Sequence, residues 1–264
     1  ILSRKIILPG KLKPMKSTTK SVIVLTLIFS KCLTTRAQQL TFSKFEVGAG
    51  AGVFVYQGDL TPTRLGSYKT LKPAFNFFVG RIINPRLTLR TNIAFGQLKG
   101  DDAKYASPVY RQERNFNFHT PVFELSELVV VDLLRDNLVH HPNHFSPYLF
   151  TGVGISFLRI RRNYDRFNTE YFLSEPATTQ GLAEDAQHSL PGLIPVVPLG
   201  VGIKYAISER LMISAETSYR FAFTDYLDGF SKAANDRKKD SYQTHTIGVI
   251  YRFASNNSMK CPKL

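Results

Sequence analysis

From about residue 45 onward the chain repeats one pattern, with apolar side chains at every second position in segments of roughly 10–14 residues, separated by turn-forming residues. Successive side chains of an extended strand point to opposite faces, so each segment reads as a strand with one apolar and one polar face. Arg86–Gly96 is the clearest: Leu87, Leu89, Thr91, Ile93 and Phe95 alternate with Arg86, Thr88, Arg90, Asn92 and Ala94. Leu211–Phe223 repeats it, with Glu216, Ser218 and Arg220 on the polar face. In Phe45–Val55, Leu149–Phe157 and Val197–Tyr205 the second face carries glycines. Pro73–Ile83, Arg114–Leu134 and Tyr242–Phe253 bring the expected total to eight strands. The fourth changes phase, since Phe116, Phe118, Thr120 and Val122 oppose Val129, Val131 and Leu133, and a bulge near Glu124–Leu128 is expected there.

No apolar run beyond Gln38 reaches the roughly 20 residues of a membrane-spanning helix, whereas the strand segments match the roughly 9–11 residues of a tilted membrane strand. The connections alternate in length. Ile83-Asn84-Pro85-Arg86 and Ser208-Glu209 are tight turns, while long loops follow the first, third, fifth and seventh strands, the longest from about Arg161 to Ile194. Turns at one end and long loops at the other are the pattern of an outer-membrane barrel. Lipid cannot satisfy an open sheet edge, so such strands must close. The expected fold is therefore all-β, an eight-stranded antiparallel up-and-down transmembrane barrel of the OmpA-like kind over residues 38–253, both ends of the mature chain periplasmic. Its lumen would hold Glu46, Arg86, Arg90, Lys204, Glu216, Arg220 and Arg252, with Glu216 and Arg220 on one face and able to pair. Side chains fill a barrel of this size, leaving little room for a channel. The structural rival, a soluble lipocalin-like barrel, needs the two faces exchanged.

The segment before the strands carries export signals. Lys16 and Lys20 precede an apolar stretch, Ser21–Ser30, and Thr34-Thr35-Arg36-Ala37 supplies the small residues of a cleavage site. Residues 15–37 read as a signal peptide and 1–14 as an over-extended start. Cys32 lies where a lipoprotein cysteine would, but Lys31 before it argues against acylation. Eight of the 34 Lys and Arg, and none of the 20 Asp and Glu, fall in residues 1–37, so the formal charge drops from +14 to +6 without them. The basic pI belongs largely to the leader, which excludes a nucleic-acid reading built on charge. Cys261 is the single cysteine past the leader, so neither a disulfide framework nor a cysteine metal site is expected.

Chemistry is sparse. The histidines are His119, His140, His141, His144, His188 and His245, and no His-x-Ser pair falls in an expected strand, so a base and nucleophile side by side are missing. His140, His141 and His144 have ligand-like spacing but sit in a connector with Pro142. Asp59, Asp101, Asp102, Asp225 and Asp228 gather at the loop end of the strands, where a shared cation site is one reading and turn chemistry the other. Arg159, Arg161 and Arg162 at the same end are candidates for lipid phosphate. No cofactor is expected.

A set of phrases resembles the PorG-like barrels of the Bacteroidetes type IX secretion system: Tyr56-Gln57-Gly58-Asp59-Leu60, Lys72-Pro73-Ala74-Phe75, Gly100-Asp101-Asp102, Arg114-Asn115-Phe116, Ser146-Pro147-Tyr148-Leu149-Phe150, Gly200-Val201-Gly202-Ile203-Lys204-Tyr205, Thr224-Asp225-Tyr226-Leu227-Asp228-Gly229 and Lys260-Cys261-Pro262-Lys263. They run in family order over nearly the whole chain past the leader. The resemblance implies a non-catalytic barrel in the outer membrane of a Gram-negative bacterium, in contact with its lipids and lipopolysaccharide. It would be anchored to a periplasmic ring lipoprotein and its soluble companion. Lys260, Cys261, Pro262 and Lys263 in the tail 254–264 are the candidate docking residues. A generic small barrel, acting as envelope stabiliser or adhesin, is the alternative, and a lipid-modifying enzyme is a third reading.

Overall fold

The computed structural model describes residues 44–63, 65–134, 143–234 and 240–253. His140, His141, the tail with Lys260, Cys261, Pro262 and Lys263, and residues 1–43, which include the expected signal peptide, lie outside the described residues. Eight long strands run antiparallel: β1 (Phe45–Gln57), β2 (Lys72–Asn84), β3 (Leu87–Asp101), β4 (Asn117–Asp132), β5 (Phe145–Leu158), β7 (Leu193–Ala206), β8 (Leu211–Ala222) and β9 (Ser241–Arg252). Each pairs with its neighbours in sequence, and β1 pairs with β9, which closes the sheet into an up-and-down barrel. A short strand β6 (Arg161–Asn163) continues the β5 register along β4 after a break at Arg159 and Ile160.

On every long strand the buried inward positions are the even-numbered ones, so a single parity runs around the barrel. The inside holds the charges, including fully buried Glu46, Arg90 and Glu124. The outside presents a belt of exposed Phe77, Val79, Leu89, Ile93, Leu125, Val153, Leu199, Val201, Ile247 and Val249, with Val153 and Ile247 more than 65 % exposed. A sheet that turns its apolar face outward around its whole circumference is a membrane barrel, and the soluble alternative with the faces exchanged is ruled out.

The expected bulge in β4 is absent. Its pairing with β3 is unbroken from Leu87↔Val131 to Asp101↔Asn117. Phe118 and Val122 face inward at the loop end because that end of the lumen is itself apolar, while Val129 and Val131 face lipid. The phase change is a change in what each face meets, without a change in the strand. A register shift occurs instead between Ile82 and Asn84, entering the β2–β3 turn. That turn is closed by Asn84, whose Oδ1 accepts the N–H groups of Arg86 and Leu87 at 2.9 Å, and at the β7–β8 turn Ser208 Oγ accepts those of Arg210 at 3.3 Å and Leu211 at 3.1 Å.

The loops at the opposite end form a packed head. Helix α1 (Tyr110–Arg114) lies between β3 and β4 and ends at Asn115, which takes the left-handed conformation at φ 52°. Helix α2 (Pro176–Gln187) lies in the long connection before β7. Gly181 of α2 meets the carbonyl of Lys232 so closely that a β-carbon there has no room. Asp185, fully buried, accepts the backbone N–H groups of Ser231, Lys232 and Ala233 at 2.9–3.1 Å and so ties α2 to the loop before β9.

Candidate functional site

The lumen is built in three layers. Nearest the turn end, Arg90 Nη1 donates to Glu216 Oε1 at 2.6 Å, Arg252 Nη2 to Glu46 Oε2 at 2.9 Å, and Lys204 Nζ to Asp132 Oδ1 at 3.0 Å. Arg90 also lies 4.0 Å from Glu46 and 3.9 Å above the Phe78 ring. Tyr148, with its hydroxyl on Glu216, closes the layer. In the middle, Arg220 Nε and Tyr242 Oη both donate to Glu124 Oε2, at 3.1 and 2.7 Å. Four carboxylates thus meet four cations inside the barrel, and these layers carry no net charge. A low-dielectric interior tolerates charges only when they are paired in this way. Toward the loop end the lumen becomes an apolar plug of Phe54, Leu60, Leu98, Phe118, Leu227 and Phe230, with Phe116 and Phe230 stacked at 4.2 Å.

Six of the seven expected lumen charges are in this network. Arg86 is not: it is exposed in the β2–β3 turn, because the turn begins one residue before it. Glu216 and Arg220 share a face as expected but bond elsewhere, to Arg90 and Glu124. Glu124 and Asp132, the partners that balance the layers, were hidden by the bend expected in β4.

The loop-end carboxylates do not converge on a cation. Among the described residues no group of three or more His, Cys, Asp or Glu is arranged to hold a metal. Each aspartate has its own task. Asp102 is fully buried and accepts from Arg111 Nη1 at 2.8 Å and from Arg114 Nε at 2.7 Å. Asp101 caps Ala103 N–H at 3.2 Å, and Asp225 accepts from Ser231 Oγ. Asp59 is buried beside Arg114, which donates to its carbonyl.

Asp228 and the unforeseen Asp240 share a tyrosine. Tyr56 Oη is 2.6 Å from Asp228 Oδ2 and 2.9 Å from Asp240 Oδ1, and a phenol has one hydrogen to give. One carboxyl must therefore supply the second proton. Burial first, then the neighbouring carboxylates, push both aspartates well above the usual carboxylate range. The folded protein holds protons that the unfolded chain releases above about pH 4, so this cluster's contribution falls as pH rises. Asp240→Asn, which keeps a neutral group facing Tyr56 and an oxygen for the Leu227 N–H now held at 3.0 Å, is expected to flatten that dependence. It should make the 223–240 loop more resistant to proteolysis at pH 8 than the parent, with little difference at pH 4.

Polar side-chain contacts are also found on the lipid-facing side. Thr91 Oγ1 donates to Glu127 at 2.7 Å, and Thr217 Oγ1 lies 2.8 Å from His245 Nδ1, with Tyr68 Oη 3.3 Å from the other ring nitrogen. The second brings together a hydroxyl and an imidazole that are 28 positions apart in the chain, beyond the reach of a local motif. Both groups sit mid-ladder, where backbone N–H groups are spent on strand pairing and are not free to stabilise an oxyanion. Of the rim arginines, Arg162 turns inward and donates to the carbonyls of Gly229 at 2.7 Å and Ala186 at 3.1 Å, while Arg159 and Arg161 stay exposed. Gly229 reaches this position with φ 89°. His144 lies at the turn end, its carbonyl accepting from Ala206 N–H at 3.0 Å.

No curated protein matches the chain. Among solved structures it is similar to Neisserial surface protein A (15 % identity, 80 % of this chain and 97 % of that one, TM-score 0.43). It is also similar to the N-terminal barrel domain of Pseudomonas aeruginosa OprF (10 %, 79 % and 97 %, 0.39) and to a major outer membrane protein of Thermus thermophilus (14 %, 79 % and 99 %, 0.40). These likenesses concern strand architecture alone. One family model covers residues 20–253, and the chain belongs to that family, described as Domain of unknown function (DUF6089).

Proposed function

We propose that this chain is a non-catalytic outer-membrane barrel that anchors the type IX protein secretion machinery to the membrane by associating with its periplasmic ring. The observation that carries the anchoring role is the filled lumen: paired charges occupy its lower and middle layers and an apolar plug its mouth. A barrel so filled offers cargo no path and serves as a rigid membrane body. The secretion role rests on the ordered phrases that resemble PorG-like barrels. Several of them build one place, the plug at the loop end, through Tyr56, Leu60, Asp102, Arg114, Phe116, Leu227 and Asp228. In this reading the loops face outward, and the turns with the tail 254–264 face the periplasm. On the same reading the lipid-facing Thr217–His245 pair, with Tyr68 on the other ring nitrogen, serves the packing of β8, β9 and the first loop.

The test is affinity purification of the tagged barrel from mildly solubilised outer membranes, with and without residues 254–264. Recovery of ring proteins with the full chain, lost on removing the tail, is expected. Ring proteins retained without the tail would move docking to the turns, and none recovered in several mild detergents would refute the secretion role. The generic alternative, an adhesin or stabiliser, draws its support from Leu65, Val109 and Leu173 on the loops, all more than 60 % exposed.

A further inference from the structure

The loop end of strands β2 to β6 carries an ordered arrangement on its lipid-facing side. Phe75, Phe95, Phe123 and Phe157 are direct partners across four consecutive strands, forming one continuous row on the outer face. All four are exposed, with ring pairs Phe75–Phe95 at 5.6 Å and Phe123–Phe157 at 6.0 Å. Such a row marks the boundary between hydrocarbon and headgroups. Four residues further along the same strands, Lys99, His119 and Arg161 are again direct partners across β3, β4 and β6. Arg159, two residues above Phe157 and donating its N–H to the Pro121 carbonyl at 3.2 Å, lies between the two rows along the strand.

A strand rises about 3.3 Å per residue, so with the tilt of a barrel the cations stand roughly 5–10 Å above the aromatic row. That is the depth of lipid phosphates. Lys99 and Arg161 are the direct partners of His119 on its two sides, so two permanent cations stand either side of one imidazole. Among the described residues, the one carboxylate that pairs with this row is Asp101, 3.8 Å from Lys99, and Arg159 and Arg161 have no ion-pair partner. A row of this kind calls for an anion that bridges it.

We propose that Lys99, His119, Arg159 and Arg161 form a binding site for the phosphate groups of an anionic lipid in the leaflet at the loop end, with its acyl chains lying on Phe75, Phe95, Phe123 and Phe157. The site depends on the barrel lying in a membrane and not on the secretion role, so the two proposals fail separately.

The test uses the full barrel in nanodiscs. Bisphosphorylated lipid A, phosphatidylcholine and inorganic phosphate serve as probes, with bound lipid counted by native mass spectrometry. Lipid A should be retained at least about tenfold over phosphatidylcholine, and K99Q/R159Q/R161Q should lose about tenfold in retention. A charge-matched variant, K44Q/R166Q/R210Q, should bind as the parent does. Folding of each variant is read from the mobility shift between unheated and boiled samples on a gel. Should the triple variant not fold, R161Q alone, an exposed position, should still weaken binding about threefold. Equal retention by K99Q/R159Q/R161Q or R161Q overturns the site. So does equal loss in the charge-matched control, which would show diffuse attraction, or full displacement by millimolar inorganic phosphate, which would show a site for free anions.

Discussion

Arg90→Met is expected to cost the barrel about 3–5 kcal/mol, measured as the loss in urea-unfolding free energy by far-ultraviolet circular dichroism, since the chain has no tryptophan. Arg90 is fully buried, its guanidinium 2.6 Å from Glu216 and 4.0 Å from Glu46. Its removal leaves Glu216 with Tyr148 as its remaining close donor in that layer, while Glu46 keeps Arg252 at 2.9 Å. The cost arises from a charge left buried without a cation, which exceeds what the pair contributes against an apolar substitute. Arg90→Met combined with Glu216→Met should therefore recover most of the loss, to within about 1–2 kcal/mol of the parent. A double variant no better than Arg90→Met alone would mean that Arg90 acts through packing on Phe78 and not through charge balance.

Asp102→Ala should have a comparable intrinsic cost, felt elsewhere. Its carboxylate is the shared acceptor of two buried guanidiniums, Arg111 at 2.8 Å and Arg114 at 2.7 Å. Without it, two cations sit in a dry pocket, at a cost of about 3–5 kcal/mol. The strands do not have to unfold to relieve this, because the loop 102–116 can swing into water and hydrate both arginines. Local opening of this kind takes the cheapest route available. Trypsin is thus expected to cleave at Arg111 and Arg114 in the variant and not in the parent, with the mid-strand β-structure retained. Cleavage-resistant loops in Asp102→Ala would show that Thr61 and Asp59, whose carbonyls also accept from these arginines, hold the loop by themselves.

What was legible from the residues alone follows from the period of the pattern. Alternation at two residues has few folded solutions, and it located all eight strands, the two tight turns and the inward parity of Glu46, Arg90, Lys204, Glu216, Arg220 and Arg252. The alternation misleads where one face meets two environments. In β4 the inward face runs from Phe118 through Glu124 to Val130, apolar, charged and apolar again, so hydrophobicity alone looks like a phase break. Treating parity as fixed would have placed Glu124 and Asp132 inside. Arg86 failed for a different reason, since side-chain alternation gives no warning of where a turn begins. The loop-end head left little signal: Asp185 and Asp240 act on partners tens to nearly two hundred residues away, through backbone N–H groups and one tyrosine hydroxyl. Contacts of that range follow from closure of the barrel, and no local spacing encodes them.

This barrel is filled from end to end by side chains. Planar-bilayer recording of the purified chain, reconstituted at single-molecule dilution, tests this most directly. A lumen filled in this way gives a flat trace with no reproducible conductance steps at about ±100 mV, on the order of the potentials membranes bear, and the same flat trace is expected for Asp102→Ala because the charged layers lie below the head. Stable, uniform steps from the parent chain would contradict it and make the lumen a path.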